Sequence, residues 1–333
     1  MTEESDTWAL VLAAGEGSRL RSLTTAASGT TVPKQFCSLY EGPSLLHEAL
    51  CRARTVTTED RICVVVAQQH RRWWEGALWL LPPENVIVQA ENRGTGLGIV
   101  LPLLHILSRD PEAKLVLLPS DHHVRQEAVL SAALQGALAQ ISRHSREIVL
   151  LGVSPEELDQ DLGYIVPGPV DERGVLTVER VVEKPSLTMA NELVGAGGLW
   201  NTFIVVSTGR ALMDLVRKRF PEIVSVMMAA FESDRREGSE GTAMAELYQK
   251  LPAVDFSRDI LTEQVSSLRV LPVQPCGWSD LGTPKRVADT LRRLPRPVCS
   301  TSTRSSVGYL SLAGQHARIH VHDGSGRRPE APR

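Results

Sequence analysis

The sequence predicts an α/β fold, a mixed and mostly parallel sheet flanked by helices. Short apolar runs recur along the first half of the chain, each the length of a buried strand. Segments with apolar residues at helical spacing alternate with them. No internal repeat is found, so no C-terminal β-helix is expected.

Residues 8–13 (WALVLA) are apolar throughout and stop at glycines, as a strand buried on both faces does. Residues 14–31 are rich in Gly, Ser and Thr without periodicity and read as a loop. Leu45, Leu46, Ala49, Leu50 and Ala53 predict a helix over 43–56, with Pro43 suited to its first turn. A second strand is predicted at 62–67 (ICVVVA), followed by a helix carrying Trp73, Trp74 and Trp79 and a short strand at 86–88. Those tryptophans suit packing, or a face turned to a partner. Helices at 95–107 and 126–142 alternate with strands at 114–118 and 147–152. After Pro155 the pattern changes: strands at 164–166, 175–183 and 199–206, with few helices between them, predict mixed or antiparallel pairing along one wall of a site. Helices return within 207–251 and at 283–294, and the last residues, DGSGRRPEAPR, have a disordered composition.

The 333 residues carry a formal net charge of −3, without the basic excess of a nucleic-acid binder. Cys37, Cys51, Cys63, Cys276 and Cys299 form no CxxC pair and are odd in number, which argues against a disulfide framework or zinc site and for a reducing cytoplasm. The start, MTEESDTW, lacks the features of a signal peptide, and no stretch suits a membrane span.

Gly15 and Gly17 directly follow the first strand, where glycine lets backbone turn sharply and approach a ligand, and exposed loop amides attract phosphate. Leu20 stands where a dinucleotide fingerprint needs its third glycine, and GxxxxGK[ST] is absent. A tight surface turn is the alternative for this loop. Asp121, after the strand at 114–118, lies where α/β sheets bind ligands, and an Asp there either holds Mg²⁺ or caps a helix. Asp280, in GWSDLGTP, has the same two readings. Glu183-Lys184-Pro185 ends a strand and, alone, could be a surface ion pair. His122 and His123 lack metal-ligand spacing and suit packing.

LAAGEGSRL followed by PKQF resembles the nucleotide-binding signature of sugar-nucleotide pyrophosphorylases, and PKQF with PSDH resembles their mannose-1-phosphate guanylyltransferase branch. VVEKP, LGYI, LWNT, ENRGT and WSDLGTP resemble further segments of that family, in its order, between Trp8 and about Pro284. The resemblance implies a Rossmann-like, glycosyltransferase-A-like nucleotidyltransferase fold. It implies a single domain over 1–296, with a nucleotide-binding half at about 8–152 and a sugar-binding half at about 153–296, then a tail at 297–333. Ala14, Gly15, Gly17, Ser18 and Arg19 would wrap the nucleotide, Arg19 and Lys34 would contact the triphosphate, and Arg93 and Gly94 would lie near the nucleoside. Asp121 and Asp280 would hold Mg²⁺. Lys184 would bind the sugar phosphate, Glu183 the sugar hydroxyls, and Gly163 and Asn201 would lie against the sugar. Arg19, Lys34, Asp121 and Asp280 would be catalytic.

The chain departs from the family pattern at Ser22, where proline is usual, and at Asp161-Leu162, Thr202-Phe203, Gly94 and Gly96. Asp255-Phe256-Ser257-Arg258-Asp259 matches S-I-D-Y-A only loosely. The implied activity is nucleotidyl transfer from an NTP, GTP by resemblance, to a sugar 1-phosphate, mannose 1-phosphate by the same resemblance. Neither nucleic acid nor membrane is an expected partner, and a homo-oligomer is compatible. The alternatives are a thymidylyl-, uridylyl- or cytidylyltransferase with another acceptor, and a non-catalytic, sugar-nucleotide-binding regulator.

Overall fold

Alternation along β1 (Thr7–Ala13) sorts the core into two layers. In this computed structural model, which describes residues 6–25, 29–39, 42–238 and 241–294, Ala9, Val11 and Ala13 join one apolar cluster, and Trp8 and Leu10 join the other. Successive strand residues point to opposite faces, so an unbroken apolar run requires cover on both.

The further strands are β2 (Ile62–Ala67), β3 (Val86–Gln89), β4 (Lys114–Pro119), β5 (His123–Val124) and β6 (Ile148–Val153). They continue with β7 (Tyr164–Val170), β8 (Leu176–Val182), β9 (Leu199–Thr208), β10 (Leu268–Val273) and β11 (Trp278–Ser279). The helices are α1 (Arg21–Thr24), α2 (Leu45–Ala53), α3 (Arg71–Trp74), α4 (Gly94–Arg109) and α5 (Glu127–Arg143). Then come α6 (Leu187–Gly195), α7 (Gly209–Arg219), α8 (Pro221–Glu237), α9 (Thr242–Tyr248) and α10 (Pro284–Arg293). Buried residues of α2 and α5 pack in the layer of Val11, and those of α4, α7 and α8 in the layer of Leu10.

Nine strands form one sheet in the order β3-β2-β1-β4-β9-β6-β10-β8-β7. β1 pairs in parallel with β2 and β4, and β2 with β3, as the early alternation predicts. β9 lies antiparallel between β4 and β6, and also meets β7. The later half is therefore mixed, as the change of pattern after Pro155 predicts. β5 and β11 form a separate antiparallel pair, Trp278 opposite Val124 and Ser279 opposite His123. No helix among the described residues is long and apolar enough to cross a membrane.

Several elements differ from expectation. The loop at 14–31 contains a short turn of helix at Ser18–Leu20 and then α1, seated by the buried Leu20 and Thr24. The helix expected to carry three tryptophans is only the four residues of α3; Trp74 donates to the Ala67 carbonyl at 2.9 Å, while Trp79 lies beyond the helix and is 67% exposed. α6, capped by the Ser186 hydroxyl, and β10 were not expected. Phe256–Leu261 forms a π-helical turn. Cys299 and the tail expected at 297–333 lie outside the described residues.

Candidate active site

The β5–β11 pairing brings Asp121 and Asp280 to one place, because each lies beside one of these short strands. Lys34, in the turn Lys34–Phe36, joins them. Its ammonium lies 2.8 Å from Asp121 Oδ2 and donates to the Asp280 carbonyl at 2.6 Å. Lys34 is only 5% exposed, so its charge needs such partners. Burial alone would raise the Asp121 carboxyl's pKa; Lys34, with His122 beside it, outweighs this and holds the carboxyl below its ordinary range. Burial pushes His122 down to about 4 despite Asp121, leaving it neutral at pH 7. Its ring stands edge-on to Trp278.

The Asp280 carboxylate is held by its own turn and by α10. Oδ1 accepts from the Gly282 amide at 3.0 Å and lies 2.7 Å from Arg286 Nε, while Arg286 Nη2 donates to Oδ2 at 3.2 Å. Asp121 and Asp280 are hard oxygen donors. Mg²⁺ is commonly held by one or two carboxylates plus substrate phosphates, so this pair fits a cation that arrives with phosphates. No group of three or more His, Cys, Asp and Glu side chains suited to a metal occurs among the described residues.

The glycine loop folds over Lys34. The Gln35 side-chain amide donates to the carbonyls of Ala13 and Gly15, both at 2.9 Å. Gly17 has φ +60°, and a Cβ there would lie 3.1 Å from the Lys34 amide nitrogen. Gly15, Ser18 and Arg19 are exposed and Ala14 is half-buried. Arg19 reaches across to Asp161, Nη1 to Oδ1 at 4.0 Å.

The opposite wall is set by strand register. Tyr164 pairs with both Val182 and Trp200, bringing Gly163, Glu183 and Asn201 together. The Asn201 amide donates to the Gly163 carbonyl at 2.8 Å, and a Cβ on Gly163 would lie 2.6 Å from Glu183 Oε2. Burial raises the Glu183 carboxyl's pKa, Asp255 adds to this, and Lys184 and Arg19 oppose it. The Lys184 side chain is half-exposed, 3.7 Å from Glu183 Oε1. Thr202 is fully buried and donates to the Leu151 carbonyl at 2.6 Å, so it holds the strand.

The non-glycine residues with positive φ among those described are Lys184 (48°), Phe203 (59°) and Leu281 (48°). Each lies at or beside a predicted site residue, and strain of this kind concentrates at functional sites. Arg93 is different. Expected near the nucleoside, its guanidinium is taken up by the Tyr248 carbonyl at 2.7 Å, the Gln249 carbonyl at 3.0 Å and Glu91. Gly94 packs beneath Val254, where a Cβ would meet the carbonyl oxygen at 2.3 Å. Both residues anchor their segment against the region after α9. A cavity of about 100 Å³ is lined by Arg125, Trp200, Trp278 and Arg286, among others, but by none of Lys34, Asp121 or Lys184.

Gln35, Asp159 and Arg286 are structural members of the site that sequence reasoning missed. Gln35 stood inside the PKQF run, and its place beside Lys34 was the available signal. Arg286 and Asp159 have no local pattern that marks them.

A mixed α/β sheet with a glycine loop after β1, and with a buried lysine and two carboxylates gathered beside β4 and the β5–β11 pair, is an arrangement suited to phosphate. The chain belongs to the nucleotidyl transferase family, whose model matches residues 8–295. It is 28% identical over 282 residues to the xanthan biosynthesis protein XanB of Xanthomonas campestris pv. campestris strain B100, covering 84% of this chain and 58% of that protein. It is 29% identical over 289 residues to mannose-1-phosphate guanylyltransferase 2 of Escherichia coli O157:H7, covering 83% and 58% respectively. The chain thus spans less than two thirds of the length of these curated relatives. Its fold matches the crystal structure of mannose-1-phosphate geranyltransferase from Thermus thermophilus with a TM-score of 0.73 at 25% identity, covering 87% of this chain and 80% of that one.

Proposed function

We propose that this chain transfers a nucleotidyl group from an NTP to a sugar 1-phosphate and releases pyrophosphate, with GTP and mannose 1-phosphate as the favoured pair. The observation that carries this reading is the bridge from Lys34 to Asp121 and Asp280, with Lys184 and Glu183 on the other strand wall. The name of one curated relative, mannose-1-phosphate guanylyltransferase 2, favours this substrate pair.

A phosphate monoester has its second pKa near 6 and is largely a dianion at neutral pH, so its oxygen can attack the α-phosphorus without a general base. The obstacle is bringing two polyanions together. Lys184 holds the attacking phosphate, and Glu183 accepts from sugar hydroxyls. Arg19, Lys34 and the amides of the glycine loop hold the triphosphate and balance the departing pyrophosphate. Gly163 and Asn201 align the sugar for in-line attack. Asp121 and Asp280 would hold magnesium, which would supply electrostatic stabilisation of the phosphate charge. Catalysis is by positioning and electrostatics, and the reaction is placed in the cytoplasm.

The test is pyrophosphate release with Mg²⁺, crossing the common NTPs with mannose, glucose and N-acetylglucosamine 1-phosphates. Turnover confined to GTP and mannose 1-phosphate supports the full reading. Turnover with another pair keeps the reaction and replaces the substrates. Tight NTP binding with no turnover for any pair would overturn the catalytic reading in favour of a regulatory relative.

A further inference from the structure

Arg286 sits on the first turn of α10, buried to 8% exposure, between two carboxylates from distant parts of the chain. Its Nε and Nη2 face Asp280, while Nη1 pairs with Asp159. Asp159 is itself fixed: its Oδ1 accepts from the Asp161 amide at 2.8 Å, and its backbone amide and carbonyl bond the Tyr164 hydroxyl at 3.1 and 2.9 Å. Tyr164 follows Gly163 and pairs with Trp200, so Asp159 is tied to the sugar wall. Asp161 in turn faces Arg19 of the glycine loop.

The geometry assigns Arg286 as a positioning residue: it fixes the Asp280 carboxylate for the metal–triphosphate complex and couples it, through Asp159, to the wall that receives the sugar phosphate. This rests on the reading of Asp280 as a metal ligand. A free aspartate rotates about its side-chain bonds. Here the Gly282 amide bonds Oδ1 and Arg286 Nη2 bonds Oδ2, with Nε in ion-pair contact at 2.7 Å, so that rotation is restricted. A carboxylate offers about four lone-pair sites, so these contacts leave capacity for a cation. The charge balance points the same way. Arg286 is one cation against Asp280 and Asp159, and the Lys34 ammonium meets the Asp121 carboxylate but only the backbone carbonyl of Asp280. A planar fork can hold two acids at once, which a lysine ammonium cannot reproduce.

The experiment measures Mn²⁺ binding by electron paramagnetic resonance in the full chain with GTP and no sugar phosphate, alongside GTP binding in EDTA. In Arg286→Met, Mn²⁺ affinity in the GTP complex is expected to fall at least about tenfold, the scale of lost outer contacts to metal ligands. GTP affinity in EDTA should be unchanged, and Arg286→Lys should fall between. Should Arg286→Met fail to fold with two acids left unpaired, Arg286→Met/Asp159→Asn removes one of those charges and must show the same metal-specific loss. Wild-type Mn²⁺ affinity in a folded variant, or an equal loss of GTP binding with and without metal, overturns the assignment. Asp280→Asn separates the two readings. If it loses Mn²⁺ while the Arg286 variants do not, only the Arg286 role falls; if it binds Mn²⁺ normally, the metal reading falls and takes this inference with it.

Discussion

The Lys34 ammonium lies 2.8 Å from the Asp121 carboxylate while the lysine side chain is only 6% exposed. A buried cation held by one carboxylate and one carbonyl leaves little freedom for either charge to move. Asp121→Asn and Asp280→Asn are each expected to lower turnover at least about a hundredfold, the scale of lost electrostatic contacts to a transition state. Steady-state rates at limiting Mg²⁺ check this. Near-normal rates in both would remove the metal assignment.

Gln35 offers a way to separate loop shape from loop charge. Its amide hydrogens go to the Ala13 and Gly15 carbonyls, which orders the glycine loop without itself presenting a charge. Gln35→Leu loses two hydrogen bonds and leaves two carbonyls unpaired. KM for the NTP is expected to rise by up to about thirtyfold, from two bonds worth about 1 kcal/mol each, with KM for the sugar phosphate unchanged. A parallel rise in both constants would show general loosening instead.

The sequence made most of the parallel half readable, because β1, β2, β4 and β6 are apolar on both faces. β10 escaped notice because Arg269 and Pro272 interrupt its apolar pattern, and it persists through its register with β6 from Leu268 to Val273. α6 buries only Ala190 and Leu193, too little to mark a helix by periodicity. At the site, Lys34, Asp121, Glu183 and Asp280 could be named from motifs. Their convergence depends on β5 and β11, two residues each, and strands that short carry no period. Arg93 shows a related limit of motifs: a motif names a residue type, while the carbonyls of Tyr248 and Gln249 that its guanidinium meets come beside it only on folding.

His105 supplies a pH prediction away from the site. Burial, with Arg109 and Arg235 nearby, pushes its pKa down to about 4 from an ordinary 6.5. Between these values the unfolded chain takes up a proton that the native protein refuses. His105 therefore contributes its full stability above pH 6.5, and loses it as pH falls toward 4. Urea midpoints across that range should fall for the native sequence more steeply than for His105→Leu. Parallel curves would show that the imidazole is protonated in the fold.

Gly17→Ala tests the turn over Lys34. The backbone there has φ +60°, and the new Cβ would press on the Lys34 amide nitrogen and on its Cβ. A left-handed non-glycine residue costs about 1–2 kcal/mol. The expected result is a lower melting temperature and weaker NTP binding together, since loop and lysine move as a unit. Scanning calorimetry and nucleotide titration check it, and unchanged nucleotide affinity would detach Gly17 from the binding role.

Lys184 sets stability against function. Its φ of 48° is strained for a residue with a side chain, yet the side chain is half-exposed and its contact with Glu183 is a loose 3.7 Å. Nothing in that packing compensates the strain, which for a residue in this region is of order 1–3 kcal/mol. Lys184→Gly should therefore raise the melting temperature, because glycine adopts the conformation freely, and should raise KM for the sugar phosphate by removing its ammonium. Lys184→Ala keeps the strain and loses the charge, so it should match the glycine variant in KM and fall below it in melting temperature. If the glycine variant gains no stability, the backbone is held there by a favourable interaction of Lys184 itself. If both variants keep the native KM, the phosphate is bound elsewhere.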